Sequence, residues 1–274
     1  MKIDYFDKDC SELNDKKLFL LDMDGTIYEE DMVFNGVLEF LSYIEHIGGK
    51  YVFITNNSSK SVDDYINKLV SLGIKCDIDN FYTATQATIL YLQSQYPDSK
   101  IYCQGTRSFV QELKEAGINV TEADCSDIDV VLVGFDTELT SQKLRNTCKI
   151  LSTLDVAFIA TNPDIRCPVN FGFVPDCGSI CGIITAATGK KPMYIGKPEP
   201  TMITSAREKM GYSVKETVVI GDRLYTDIAA ALNAGVTAVC VLTGETSVDD
   251  INTDTIKPTF TFLSVKEMLE SMMR

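Results

Sequence analysis

Short apolar runs and helical repeats of apolar residues alternate along almost the whole chain. Leu18–Leu21 is a compact apolar run, which predicts a short buried strand ending at Asp22. Val37, Leu38, Leu41, Ile44 and Ile47 then recur at helical spacing, and Gly48-Gly49 stops that helix. Tyr51–Ile54 is the next strand, ending at Thr55. Ser61 followed by Asp64 marks a helix start; Val62, Ile66, Leu69 and Val70 give this helix an apolar face, and Gly73 ends it. Strand, helix, strand, helix in that order predicts a parallel sheet covered by helices on both faces.

A second series of the same kind follows. Helices are expected at 84–95, 109–116, 141–154 and 179–188, and strands at 100–103, 129–135 and 156–161. Beyond Gly189, strands are expected at 193–195, 217–220 and 237–242, separated by helices at 201–210 and 226–234, with a closing helix at 263–272. The chain shows no repeat, low-complexity tract or obvious linker.

Composition narrows the function. Of 274 residues, 45% are hydrophobic and 23% charged, enough apolar material for a sizeable core. The net charge of −14 sets a field that repels nucleic acid and anionic membranes, so neither is expected as a partner. A phosphate-bearing ligand would need local help from a cation, a lysine or backbone amides. No apolar run approaches the roughly 20 residues needed to span a bilayer, and Met1 to Lys17 is too polar for a signal or transit peptide. A cytoplasmic location is the resulting expectation. Nine cysteines without a Cys-x-x-Cys pair, and one histidine, His46, argue for free thiols rather than zinc or disulfides.

Because open α/β sheets bind ligands at the carboxyl ends of their strands, the residues placed there carry the chemistry. Asp22-Met23-Asp24-Gly25-Thr26 puts two carboxylates at a turn that Gly25 permits, where a divalent cation would relieve their repulsion. A plain Asx turn uses the same residues. Thr55-Asn56-Asn57-Ser58-Ser59 offers donors suited to phosphate oxygens, or simply caps the next helix. Lys197, between Gly196 and Pro198, either neutralises an anion or points to solvent. In Gly221-Asp222-Arg223-Leu224-Tyr225-Thr226-Asp227, both aspartates can reach one cation, or Asp227 merely favours a helix N-terminus.

Taken together and in this order, the four segments resemble the signature of the haloacid dehalogenase-like phosphatases: Asp-x-Asp-Gly-Thr, then Thr or Ser, then Lys, then Gly-Asp-x-x-x-x-Asp. The resemblance implies a doubly wound, Rossmann-like parallel-sheet core. Between Thr26 and Thr55 there is room for one helix and one strand only, so an extra domain must lie between Thr55 and Lys197. This placement is similar to the nitrophenylphosphatase-like type, whose α/β cap lies there. The implied domains are a catalytic core at 1–81 and 189–274 and a cap at 82–188. Thr161-Asn162-Pro163-Asp164 and the Gly178-Ser179 helix start also look like that subgroup's cap.

The resemblance further implies a magnesium-dependent phosphatase of small phosphate monoesters. Asp22 would attack phosphorus and form an aspartyl-phosphate, and Asp24 would protonate the leaving group and then activate water. Metal ligands would be Asp22, the backbone carbonyl of Asp24 and Asp222, with Asp227 holding a metal-bound water or Arg223. Thr55 and the Asn56 amide would grip phosphoryl oxygens, and Lys197 would balance charge. Asn162, Asp164, Arg166, Phe171 and Phe173 are the candidate cap contacts to the leaving group, although loop or cap packing is the simpler role for any one of them. The expected partner is a small phosphorylated metabolite. Caps of this type often pair, which implies a homodimer through the cap. A phosphotransferase and a non-catalytic phosphometabolite-binding regulator are the competing readings. A dinucleotide-binding protein is disfavoured because no Gly-x-Gly-x-x-Gly follows a strand.

Overall fold

A computed structural model describes residues 2–169 and 171–274. The chain divides into two compact units, Met1–Thr55 with Ile66–Tyr82 and Lys197–Arg274, and Asn56–Tyr65 with Thr83–Gly196.

In the first unit the described strands form a six-stranded sheet in the order Phe260–Phe262, Thr237–Val241, Thr217–Gly221, Leu18–Leu21, Lys50–Thr55, Phe81–Thr83. Leu18–Leu21 pairs in parallel with both Thr217–Gly221 and Lys50–Thr55. Outward from Leu18–Leu21, later strands are added on one side and earlier ones on the other, the doubly wound arrangement that alternating apolar segments predict. All four residues of Leu18–Leu21 are fully buried, as a central strand covered on both faces requires. Helix Val37–His46 buries Val37, Phe40, Leu41 and Ile44 and leaves His46 exposed in its last turn.

The second unit holds a smaller parallel sheet in the order Met193–Tyr194, Ala157–Ala160, Val130–Val133, Ile101–Gln104, Val120–Thr121. Helices Ala84–Gln95, Arg107–Glu115, Ser141–Thr153 and Cys177–Thr188 accompany it. Thr83, Thr106 and Thr140 cap the first three with side-chain oxygens.

Four expectations need correction. The strand at 193–195 does not join the first sheet: Met193–Tyr194 pairs with Ile159 and Ala160, and Ile195 N–H and Gly196 N–H donate to the carbonyls of Ala160 and Thr161. The division therefore falls after Gly196 rather than after residue 188, and residues 56–65 group with the second unit. On helix Val62–Ser71 it is Tyr65, not Val70, that faces inward; Tyr65 lies one turn from Val62 and Leu69, and its hydroxyl donates to the Asn57 carbonyl. The helix expected at 226–234 is a wide turn, Leu224–Ile228, followed by Ala229–Asn233. Two short hairpins, Tyr28–Glu29 with Met32–Val33 and Arg166–Val169 with Gly172–Pro175, are additional elements.

Among the described residues no helix is long and apolar enough to cross a membrane. None of the nine cysteines is joined in a disulfide.

Candidate active site

The ligand crevice of a doubly wound sheet opens where adjacent strands lead away in opposite directions. In the first sheet that place lies between Leu18–Leu21 and Thr217–Gly221. Asp22 and Asp222 each follow directly on one of these strands, and Asp22 N–H donates to the Ile220 carbonyl at 2.9 Å. The chain after Asp22 turns tightly, with Ile27 N–H donating to the Met23 carbonyl at 2.8 Å and Gly25 N–H to the Tyr28 carbonyl at 2.9 Å. Gly25 stands at φ +84°, and a Cβ there would come within 2.6 Å of Asp222 Oδ2. Both the backbone conformation and the neighbouring carboxylate thus require glycine. The turn carries Asp24, which is half-buried.

Lys197 gathers the acids. Its Nζ lies 2.6 Å from Asp22 Oδ1, 2.5 Å from Asp227 Oδ1 and 3.4 Å from the Ile54 carbonyl, and the residue is 2% exposed. Asp227 reaches this position through the wide turn Leu224–Ile228, and its Oδ2 accepts from Arg223 N–H at 3.2 Å. The Arg223 side chain pairs instead with Glu245, Nε to Oε2 3.1 Å, so it is the backbone of Arg223 that Asp227 holds. Thr55 is buried at the end of the neighbouring strand.

One oxygen from each of Asp22, Asp222 and Asp227 lies within 4.8 Å of the others. The Asp24 carboxylate is outside this group. Burial and the charges of Asp227 and Asp222 hold the Asp22 carboxyl well above the usual range, against the pull of Lys197. Burial and Asp227 push Asp222 to about 6. Burial works to lower the Lys197 pKa, but Asp22 and Asp227 overrule it and raise it, so the ammonium stays charged. Asp222 Oδ1 is buried without a hydrogen-bond partner. Three crowded carboxylates and an orphaned oxygen fit a hard divalent cation, because such ions prefer oxygen donors. Phosphate contacts from Lys197 would not require that ion, but three acids sharing one lysine call for further positive charge.

A fifth strand end escaped the sequence reading. After Thr237–Val241 the chain passes through Thr243-Gly244-Glu245-Thr246. Glu245 N–H donates to Asp222 Oδ2 at 2.7 Å, Thr246 N–H to the Asp222 carbonyl at 3.2 Å, and Thr243 Oγ1 to the Gly25 carbonyl at 2.6 Å. A Cβ on Gly244 would come within 2.0 Å of Asp222 Oδ2. The loop therefore fixes Asp222 and the Asp22–Gly25 turn together. Its only sequence signal is a small-polar run after an apolar strand.

The other candidates lie in the second unit. Asn56 is buried; its Nδ2 donates to Asp164 at 3.2 and 3.3 Å, and its carbonyl accepts from Asn162 Nδ2 at 2.5 Å. Asn162 and Asp164, expected as contacts to a leaving group, are themselves buried and bonded to Asn56. Arg166 is exposed, with its guanidinium carbon 4.2 Å from the centre of the Phe173 ring. Phe171 and Phe173 are exposed on or beside the same hairpin.

Residues 19–119 match the family model described as haloacid dehalogenase-like hydrolase, and residues 194–268 match a second, HAD-hydrolase-like model. An acid sugar phosphatase of Staphylococcus aureus is 31% identical over 260 residues, spanning 93% of this chain and 98% of the relative. The solved 4-nitrophenylphosphatase of Thermotoga maritima is 37% identical with a TM-score of 0.91, covering 95% of this chain and 99% of its own. A glycerol phosphate phosphatase of Mycobacterium tuberculosis, solved in complex with calcium, is 26% identical with a TM-score of 0.87, covering 94% and 76%.

Proposed function

The chain belongs to the haloacid dehalogenase-like hydrolases, and on that footing we propose that it is a magnesium-dependent phosphatase of small phosphate monoesters with Asp22 as its nucleophile. The observation that carries the reading is the convergence of Lys197, Asp22, Asp222 and Asp227 at the carboxyl ends of the first sheet. Relatives that share nearly the whole chain are an acid sugar phosphatase and a 4-nitrophenylphosphatase, which supports phosphate monoesters as the substrate class.

Phosphatases of this family use a divalent metal. Magnesium suits the all-oxygen donor set of Asp22, Asp222 and Asp227, with Asp24 contributing its backbone carbonyl. When bound, it would supply positive charge to the phosphoryl oxygens and offset the repulsion among the acids.

The chain's own groups perform the transfer. Lys197 holds Asp22 Oδ1, which fixes the carboxylate and leaves its second oxygen to attack phosphorus. The new bond forms between that oxygen and phosphorus as the bond to the leaving oxygen breaks, and Asp24 gives that oxygen its proton. Asp24, now ionised, takes a proton from water, which attacks the aspartyl-phosphate and releases inorganic phosphate. Thr55 and Asn56 hold phosphoryl oxygens, and Lys197 offsets their charge. Arg166 is the residue for a second anionic group on the substrate. A phosphotransferase would use the same first step, and a non-catalytic binder would have no use for Asp24.

Hydrolysis of p-nitrophenyl phosphate with and without magnesium tests the proposal. EDTA should abolish turnover and added magnesium should restore it; undiminished hydrolysis in EDTA would exclude the metal.

A further inference from the structure

The segment Thr161-Asn162-Pro163-Asp164 follows strand Ala157–Ala160 and leads toward hairpin Arg166–Val169. Its polar side chains are among the most buried in the second unit: Asn162 is 0% exposed and Asp164 6%. Both side chains turn onto Asn56, which is itself 6% exposed.

Both ends of Asn56 are held. Asn162 Nδ2 donates to its carbonyl at 2.5 Å, and Asn56 Nδ2 donates to the two Asp164 oxygens at 3.2 and 3.3 Å. The holders are fixed in turn. Asp164 N–H donates to Asn162 Oδ1 at 3.2 Å, and the Asp164 carbonyl accepts from Gly178 N–H at 2.8 Å, in the first turn of helix Cys177–Thr188. Gly178 must be glycine for this approach, since a Cβ would come within 2.1 Å of the Pro163 carbonyl oxygen. Gly196 gives Asn56 its space, since a Cβ there would lie 2.5 Å from Asn56 Oδ1. Two residues further on, Ser58 Oγ shares a hydrogen bond with Thr161 Oγ1 at 2.9 Å and accepts from Phe135 N–H at 2.9 Å. Neutral amide and hydroxyl groups alone can be satisfied in many arrangements. A buried carboxylate cannot, because leaving it unpaired costs far more.

We infer that Asp164 and Asn162 are positioning residues, a clamp that sets the backbone and amide of Asn56 for phosphate, rather than contacts to the leaving group. The inference rests on the reading of Asn56 as a phosphate-holding residue. A clamp acts on the part every substrate shares, so its loss falls equally on all esters. A leaving-group contact discriminates among them.

The test measures kcat and KM on p-nitrophenyl phosphate and on a sugar phosphate, together with the Ki of inorganic phosphate as product inhibitor. It uses Asn56→Ala, Asp164→Ala, the pair combined, and Asp164→Asn. Asp164→Ala should lower kcat/KM by about 10–100-fold, the scale of a misplaced binding group. The factor should be alike on both esters, and the Ki of phosphate should rise. The double variant should be little worse than Asn56→Ala, because Asp164 acts through that residue. Asp164→Asn keeps an oxygen acceptor and should recover much of the loss, which separates the clamp from a fold defect if Asp164→Ala is poorly folded. A change in the ratio between the two esters, or full additivity with Asn56→Ala, would overturn the clamp. If Asn56→Ala weakens phosphate while Asp164→Ala does not, the clamp alone fails; if Asn56→Ala leaves the Ki unchanged, the phosphate reading of Asn56 fails with it.

Discussion

The two parallel sheets of this molecule offer a comparison within one chain. Each has a place where adjacent strands diverge at their carboxyl ends, the geometry that suits ligand binding. In the first sheet that place, between Leu18–Leu21 and Thr217–Gly221, carries Asp22, Asp222 and, through the neighbouring turn, Asp227, with a single lysine among them. In the second it lies between Ile101–Gln104 and Val130–Val133 and is filled by the chain's own groups. Phe109 sits so close to Gly105 and Gly134 that a Cβ on either would meet its ring at 2.4 and 2.9 Å. Ser58 Oγ takes the Phe135 N–H, and Gln104 is held by Thr147. One opening gathers three carboxylates around one lysine; at the other, Lys143 Nζ donates to the Gly105 carbonyl and pairs with buried Asp136, so the charge there is matched. Topology supplies an opening in both, and only the residues placed there make one of them chemical.

This contrast is open to direct disruption. Asp22→Asn should lower p-nitrophenyl phosphate hydrolysis by about 10³-fold or more, the scale seen when a nucleophile is removed. The fold should survive, and without metal the variant should melt no lower than the parent, because a neutral amide relieves the repulsion that raises the Asp22 pKa. Phe109→Ala should do the reverse. Emptying the space of a ring that is 1% exposed should cost about 3–5 kcal/mol of stability in denaturant unfolding. Turnover per folded molecule should change little. Lys197→Ala should lower kcat by about 10²–10³-fold, as loss of a preorganised charge does. It should also destabilise the metal-free protein, since Asp22 and Asp227 lose their shared partner.

The smallest effect belongs to the second unit. Burial, with Glu115, Asp63 and Asp64 nearby, pushes the Glu112 carboxyl up from 4.5 to about 7. The folded state therefore binds the Glu112 proton more tightly than the unfolded state does. Its contribution is favourable below pH 4.5 and is lost as the pH rises through about 7. Glu112→Gln should be neutral at pH 4 and stabilising at pH 8, by about 1 kcal/mol after allowance for solvent screening. Thermal melting across that range reads the sign, and a variant that loses stability at high pH would refute the assignment.

Much of the first unit was legible because its chemistry falls in short contiguous segments after apolar strands. Asp22-Met23-Asp24-Gly25 and Gly221-Asp222 show the strand end, the turn and the acid together. Lys197 was legible as a residue but not as a placement, since Met193–Tyr194 is too short to declare which sheet it joins. Thr243-Gly244-Glu245 was missed because it acts mainly through backbone N–H groups and an absent Cβ, which leave little trace in residue type. Asn162 and Asp164 are polar positions that the sequence leaves open to a ligand or to a packing role. Their actual partner, Asn56, stands more than a hundred residues earlier, and residue type alone does not reveal such a pairing.

The central claim is that Asp22 itself accepts the phosphoryl group. Excess enzyme and p-nitrophenyl phosphate, mixed with magnesium and quenched with borohydride within one turnover, would reduce an aspartyl-phosphate to a stable alcohol that peptide mass spectrometry can locate. The account predicts that product at position 22 and its absence in Asp22→Asn; the same product at another carboxylate, formed at the rate of turnover, would contradict it.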